Sequence, residues 1–278
     1  MTSPPADTFR VYLRVLATFA RNSLIRDMTF RSNFIIQTVS SMAWMLMNLG
    51  FYLLIYQYTE SIAGWQKYEF FVFIATTMLV NSLVQALFMP NVEEFSELIR
   101  TGGLDFALLK PIDTQFLVSL QRVNWSAFGN LGLGIVLLLY SVAHFEAGTV
   151  TLAGALLYPL YVILGVAILY SVMITLAATS IWLGRNQTLY DFWFYITNFS
   201  RYPMHIYDGP WGTPLRMLFT FVIPILLVIN VPAGLMAKPL DDEYWYLAAF
   251  ALAAMVLCLA GSRWIFRKAL LSYRSASS

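Results

Sequence analysis

The stretch with the most varied side-chain chemistry inside this sequence is residues 91–114, NVEEFSELIRTGGLDFALLKPIDT. Glu93, Glu94 and Glu97 precede Arg100, and Gly102 and Gly103 follow it. Residues three and four apart share a helix face, so the three glutamates give a short helix an acidic side. Glycine just past the last turn is a common helix terminator. After the glycines come Leu104, Asp105, the apolar group Phe106, Leu108 and Leu109, and then Lys110 before Pro111. An acidic helix, a sharp bend and an apolar knob make a recognition surface, with carboxylates to orient a basic partner and apolar groups to exclude water. An ordinary solvated loop is the alternative reading.

Bond-making chemistry finds no such support. The sequence has no G-x-x-x-x-G-K-[ST] phosphate loop and no G-x-S-x-G elbow. His144, His205 and the single Cys258 have no metal-ligand spacing. Gly129, Gly132 and Gly134 lie in an apolar run and read as close helix packing. We therefore expect no catalytic residue, no metal and no cofactor in this chain. Asp191 is the candidate intramembrane polar site, since an ionisable group at membrane depth needs a function or a partner. A salt bridge with a neighbouring arginine and a contact with cargo are equal alternatives for it. The aromatics Trp193, Phe194, Tyr195 and Phe199 either line a path or simply pack.

The elements that position these residues are membrane spans. The chain is 59% hydrophobic and only 12% charged, against about 25% charge in a soluble domain. Residues 33–59, 70–92, 147–184, 217–237 and 244–262 contain no Asp, Glu, Lys or Arg. A span needs roughly 20 apolar residues, so these runs exclude a soluble enzyme. Spans are expected at about 33–58, 68–89, 115–142, 149–183, 186–203 and 244–262. Residues 9–31 alternate Phe9, Tyr12, Leu13, Leu16 and Phe19 with Arg10, Arg14 and Arg21, as an amphipathic helix in the membrane interface does. A cytoplasmic extension of the first span is its alternative. Residues 213–237 carry Pro224 and Pro232, which suit a re-entrant, broken hairpin. With six crossings and both termini cytoplasmic, 13 of the 17 Lys and Arg lie inside, as positive charge on cytoplasmic loops requires. The fold class is thus all-α, a single transmembrane domain over residues 1–278. It has six transmembrane helices, an interfacial helix before the first and a re-entrant hairpin before the last.

The run EEFSELIRTGGLDFALLKPID resembles a branch of the ABC-2 type transporter permeases, whose E-x-x-R-x-G-x-L-D-x-x-L-L-K-P-like motif follows the second span. The matching residues are Glu97, Arg100, Gly102, Leu104, Asp105, Leu108, Leu109, Lys110 and Pro111. WFYITNFSRYPMHIY followed by FTFVIPILLVINVPAGLM is similar to the same branch at Arg201, Tyr202, Pro203, Ile223, Pro224, Pro232 and Ala233. The resemblance implies an exporter in a bacterial or archaeal cytoplasmic membrane. Two permease chains, identical or related, pair side by side. Two copies of a separate ABC ATPase, carrying the ATP and Mg, dock on residues 92–109. Arg201, Tyr202, Pro203, Pro224 and Pro232 belong to the re-entrant gate. The cargo is expected to be hydrophobic, amphipathic or lipid-linked, and no nucleic acid is involved. A non-transporting membrane subunit of an ABC-like complex and an unrelated secondary carrier are the other function classes.

Overall fold

The computed structural model describes residues 5–146, 149–183, 194–195, 197–239 and 242–274. Helix α1 (Pro5–Thr29) gives way at Phe30 to α2 (Arg31–Ile55). A two-residue turn at Ala63 and Gly64, both at positive φ, closes a small hairpin of β1 (Ser61–Ile62) and β2 (Trp65–Gln66). Then come α3 (Lys67–Leu87), α4 (Met89–Arg100), α5 (Gly103–Leu108) and α6 (Thr114–Leu120). A 3-10 turn, Trp125–Ala127, leads into α7 (Phe128–Ala143), and α8 covers Leu152–Leu183. Past two 3-10 turns, Phe199–Arg201 and Met204–Tyr207, lie α9 (Gly212–Met217), a π-turn (Leu218–Val222), α10 (Leu227–Ala237) and α11 (Asp242–Ser272).

Five of these stretches are long and apolar enough to cross a membrane: Arg31–Ile55, Lys67–Arg100, Trp125–Ala143, Leu152–Leu183 and Tyr244–Ser272. A sixth apolar pair, Gly212–Val222 and Leu227–Ala237, is bent by 92° just before the last of them. The protein is therefore an all-α polytopic membrane protein with a non-spanning helix in front and a bent helical hairpin before the final span. Half of the expected crossing at 186–203 falls outside the described residues, and Asp191, Arg185 and Trp193 lie outside them too.

Helix α8 is the central post. At 32 residues it measures about 48 Å, more than a bilayer core of about 30 Å, and it stays one helix through Pro159. α10 lies tight against it. A Cβ on Gly154 would stand 2.2 Å from the Leu235 carbonyl oxygen, and one on Gly165 would stand 2.7 Å from that of Val228. The Val228 carbonyl is the one that Pro232, four residues on, cannot reach with an N–H. Pro232 does not interrupt the hairpin as its residue type suggested. It sits inside α10, and the carbonyl it frees faces the glycine of a neighbouring helix. Pro224 does mark the bend, buried between the π-turn and α10.

One span boundary also differs from the sequence reading. The third span begins at Trp125, not near residue 115, because Asn124 caps a new helical start by accepting the Ser126 N–H at 3.1 Å. Residues 114–120 form the separate helix α6, and Arg122 lies between the two. In α7, Gly129 receives Thr38 and Met42 of α2, and Gly134 receives Met78 and Leu79 of α3, whereas Gly132 meets nothing.

The two ends of the bundle are chemically distinct. At one end Lys238 donates to the Gly64 carbonyl and to Glu69, tying the end of α10 to the start of α3. At the other end lie α1, α4 to α6 and the C-terminal turns of α11. On the orientation read from charge, cysteine labelling places positions 105 and 274 in the cytoplasm and position 62 outside; external labelling at 274 rejects that topology.

Candidate functional site

The segment after α3 folds as a compact platform rather than a loop. Pro90 fits the first turn of α4, where its missing N–H is harmless. Asn91 then locks the platform to the bundle: its amide donates to the Leu87 and Arg122 carbonyls, and its Oδ1 accepts the Arg122 N–H at 2.7 Å. Gly102 takes φ +73, a left-handed conformation that disfavours other residues, and turns α4 into α5. Phe95, Leu104, Ala107, Leu117 and Val118 make a core with Ile174 and Ala177 of α8 and Phe266 and Ala269 of α11.

The predicted contact residues divide by exposure. Phe106 is 73% exposed and Leu109 81%, with Leu108 at 40% beside them. They form the apolar knob, and Lys110 is exposed next to it. Leu104 has no exposure at all: it belongs to the platform core and cannot touch a partner. Gly103 follows it inward, with Leu98 3.0 Å from where its Cβ would be. Glu93 and Glu97 are exposed, and Glu97 pairs along the helix with Arg100, whose Nε donates at 2.9 Å. Glu94 turns aside and pairs with Arg122. Asp105 lies beside Tyr273 past the end of α11, where burial first and this carboxylate second push the tyrosine hydroxyl pKa up.

No local spacing announces the network underneath. Asp113 caps α6 by accepting the Phe116 N–H at 3.0 Å. Arg263 of α11 grips the same carboxylate with both Nη atoms, and its Nη1 also donates to Gln115 Oε1 at 2.9 Å. Gln115 donates to the Tyr170 hydroxyl of α8 at 3.0 Å, and Ser119 bonds that hydroxyl at 2.9 Å. Burial acts to raise the Asp113 pKa, but the Arg263 and Phe116 hydrogen bonds outweigh it and hold the carboxyl below the usual Asp range. A depressed carboxylate pKa stabilises the fold above the unfolded value of about 3.9, and that contribution is lost as pH falls through the folded value. The link is thus intact at any physiological pH.

Helix α1 is the other support. Its Tyr12 hydroxyl accepts the Asp113 N–H at 3.1 Å, and the Tyr12 ring meets Phe116 edge-on. Ser23 accepts the Val123 N–H, and the Ala20 carbonyl accepts Trp125 Nε1. The apolar stripe holding Tyr12, Leu16 and Phe19 therefore faces protein. Phe9, Val11, Leu13, Leu24, Ile25 and Met28 are exposed large apolar residues of this helix.

The residues expected to form a re-entrant gate lie elsewhere. Arg201 and Tyr202 are exposed, with the Arg201 guanidinium 5.9 Å from the Phe194 ring centre. Pro203 is buried and leads into Met204, whose N–H donates to Asn230 of α10 at 2.8 Å. Phe199 stacks on Phe219 at 4.5 Å, so it packs against the hairpin. No group of three or more His, Cys, Asp and Glu side chains suited to a metal occurs among the described residues.

A family model described as ABC-2 family transporter protein matches residues 42–277. The chain belongs to the ABC-2 membrane transporter family. No curated protein and no solved structure matches it.

Proposed function

We propose that this chain is the permease half of an ATP-driven exporter, in the branch whose E-x-x-R-x-G-x-L-D-x-x-L-L-K-P-like motif runs from Glu97 to Pro111. A separately encoded ABC ATPase docks on its cytoplasmic platform, and a second permease chain, identical or related, completes the path. The observation that carries this reading is the Phe106–Leu109 knob. It is exposed between two spans and supported from behind by a packed core. Energy from ATP must enter such a chain through a contact, and an apolar knob on a rigid base is the form of contact that carries binding energy. Glu93 and Glu97 flank it and would orient a basic groove on the ATPase.

The termini and the platform face the cytoplasm in this reading, and the bent hairpin re-enters from the opposite side as a gate. A hydrophobic, amphipathic or lipid-linked cargo suits the largely apolar interior. Co-purification of the chain with an ABC ATPase, followed by ATP-driven transport in proteoliposomes, tests the proposal. A complex that hydrolyses ATP but moves no cargo would favour a mechanical or signalling role.

The glutamates give a finer test. Glu97→Arg leaves the melting temperature near that of the parent, because the Glu97–Arg100 pair is fully exposed and such pairs contribute little. It slows association with the ATPase, and the deficit shrinks as salt rises, since exposed charges act mainly on encounter. Unchanged association at low salt removes Glu97 from the contact.

A further inference from the structure

The knob can move the bundle only if something rigid connects them, and the connection is visible four residues away. Between Leu109 and Asp113 the chain is Lys110-Pro111-Ile112, a short tether with one φ fixed by proline. Asp113 is then held from three sides: by Arg263 on the last span, by Tyr12 on α1, and through Gln115 by Tyr170 on α8.

The platform's other contacts with α11 are of a different kind. Phe95 meets Phe266 at 5.7 Å between ring centres, and Ala269 fills the space beside them. Apolar contact is non-directional and tolerates sliding. A two-pronged guanidinium–carboxylate pair fixes both distance and angle. Its side chains are 35% and 32% exposed, so it adds little net stability while still setting register.

We propose that Arg263 is a positioning residue for coupling: its clamp on Asp113 passes movement of the docked platform to the last span. This rests on the docking role given above to residues 92–109. Neither residue touches the knob's outer face, so binding of the ATPase and transmission of its movement become separable.

Two substitutions isolate the clamp. Asp113→Asn keeps a good helix cap but loses the charge, and Arg263→Gln removes the fork. Arg263→Lys keeps the charge without the two-pronged geometry. The permease, co-expressed with its ATPase and reconstituted in nanodiscs, is assayed for ATPase binding and for the change in ATP hydrolysis that the permease imposes. Both neutral variants are expected to bind the ATPase like the parent, melt at a similar temperature, and lose about tenfold in that hydrolytic response. Arg263→Lys falls between. Parent-like coupling in both variants overturns the proposal, and so does loss of binding in both, which would make the pair part of the docking face itself.

A second measurement needs no ATPase. With Cys258→Ser as background, spin labels replace the exposed Leu109 and Leu271. The parent gives a narrow distance distribution between platform and last span, and Arg263→Gln broadens it. No broadening refutes the clamp even if the docking reading stands. Broadening together with an ATPase that ignores the knob refutes the docking reading and leaves the clamp.

Discussion

Leu104→Asp is expected to disassemble the platform formed by α4 to α6. Leu104 is wholly buried against Phe95, Leu117, Ile174 and Phe266, with no cation nearby to pair with a new carboxylate among the contacts of that core. A large apolar side chain replaced by a smaller charged one combines the loss of core packing, about 2–5 kcal/mol, with the cost of an uncompensated buried charge. The variant is expected to insert its spans but to lose the platform fold, seen as rapid proteolysis within residues 89–120 and a melting transition lowered by many degrees. Leu104→Met, close in volume, stays near the parent. A Leu104→Asp protein with parent-like protease resistance would mean the platform core is not as described. Leu104, one of the motif positions within the expected docking segment, is thus a structural residue, and a loss of coupling on changing it would report collapse.

Phe106→Asp combined with Leu109→Asp produces the opposite pattern. Both side chains point away from the platform core and are more than 70% exposed, so the melting temperature is expected to hold or rise slightly. Capture of the ATPase falls by about a hundredfold or more, since two central apolar anchors each account for roughly 1–2 kcal/mol or more when truncated. The check is quantitative pull-down of the ATPase alongside a thermal melt of the permease alone. Parent-like capture would place the energy input elsewhere, with α1 and the end of α11 the next surfaces to test.

Much of the architecture was written in the sequence because the membrane imposes a simple code. Uncharged runs of 19 residues or more favour helices in lipid, and each of the five crossing helices overlaps such a run, the third at residues 123–145. The start of the third span, expected near residue 115 and found at Trp125, is instructive. Residues 115–120 are apolar enough to extend the helix, but Arg122 and Asn124 make a hydrophilic step, and Asn124 starts a new helix. Helical periodicity could place the stripe on α1 but could not say whether lipid or protein covers it. That depends on Asp113, Val123 and Trp125, about 100 residues away.

The site was legible in the same uneven way. The helix, the glycine bend and the apolar knob all follow from local spacing. Which apolar residue of α5 faces inward does not, because Leu104 and Phe106 differ only in the side of a six-residue helix they occupy. The Asp113–Arg263 link joins residues 150 apart, and a single Asp before a Thr-Gln pair looks like any helix cap. Asn91 could have been suspected: a polar residue directly after a helix-starting proline at the end of a span has few reasons to be there except to bond the chain that returns.

Helix α2 carries a last implication, for how the protein is made. It has no buried residue along its 25 positions, and its hydropathy is the lowest of the five crossing helices. The later helices can lean on one another as they leave the translocation machinery, but α2 meets lipid first, before Gly129 and the rest of its notch have been synthesised. Its retention in the bilayer at that moment rests on its own side chains alone. A mid-helix arginine there would be weighed against that slender margin at roughly 2.5–3.5 kcal/mol. Its damage would therefore appear as failed insertion during synthesis, before any question of folding or transport arises.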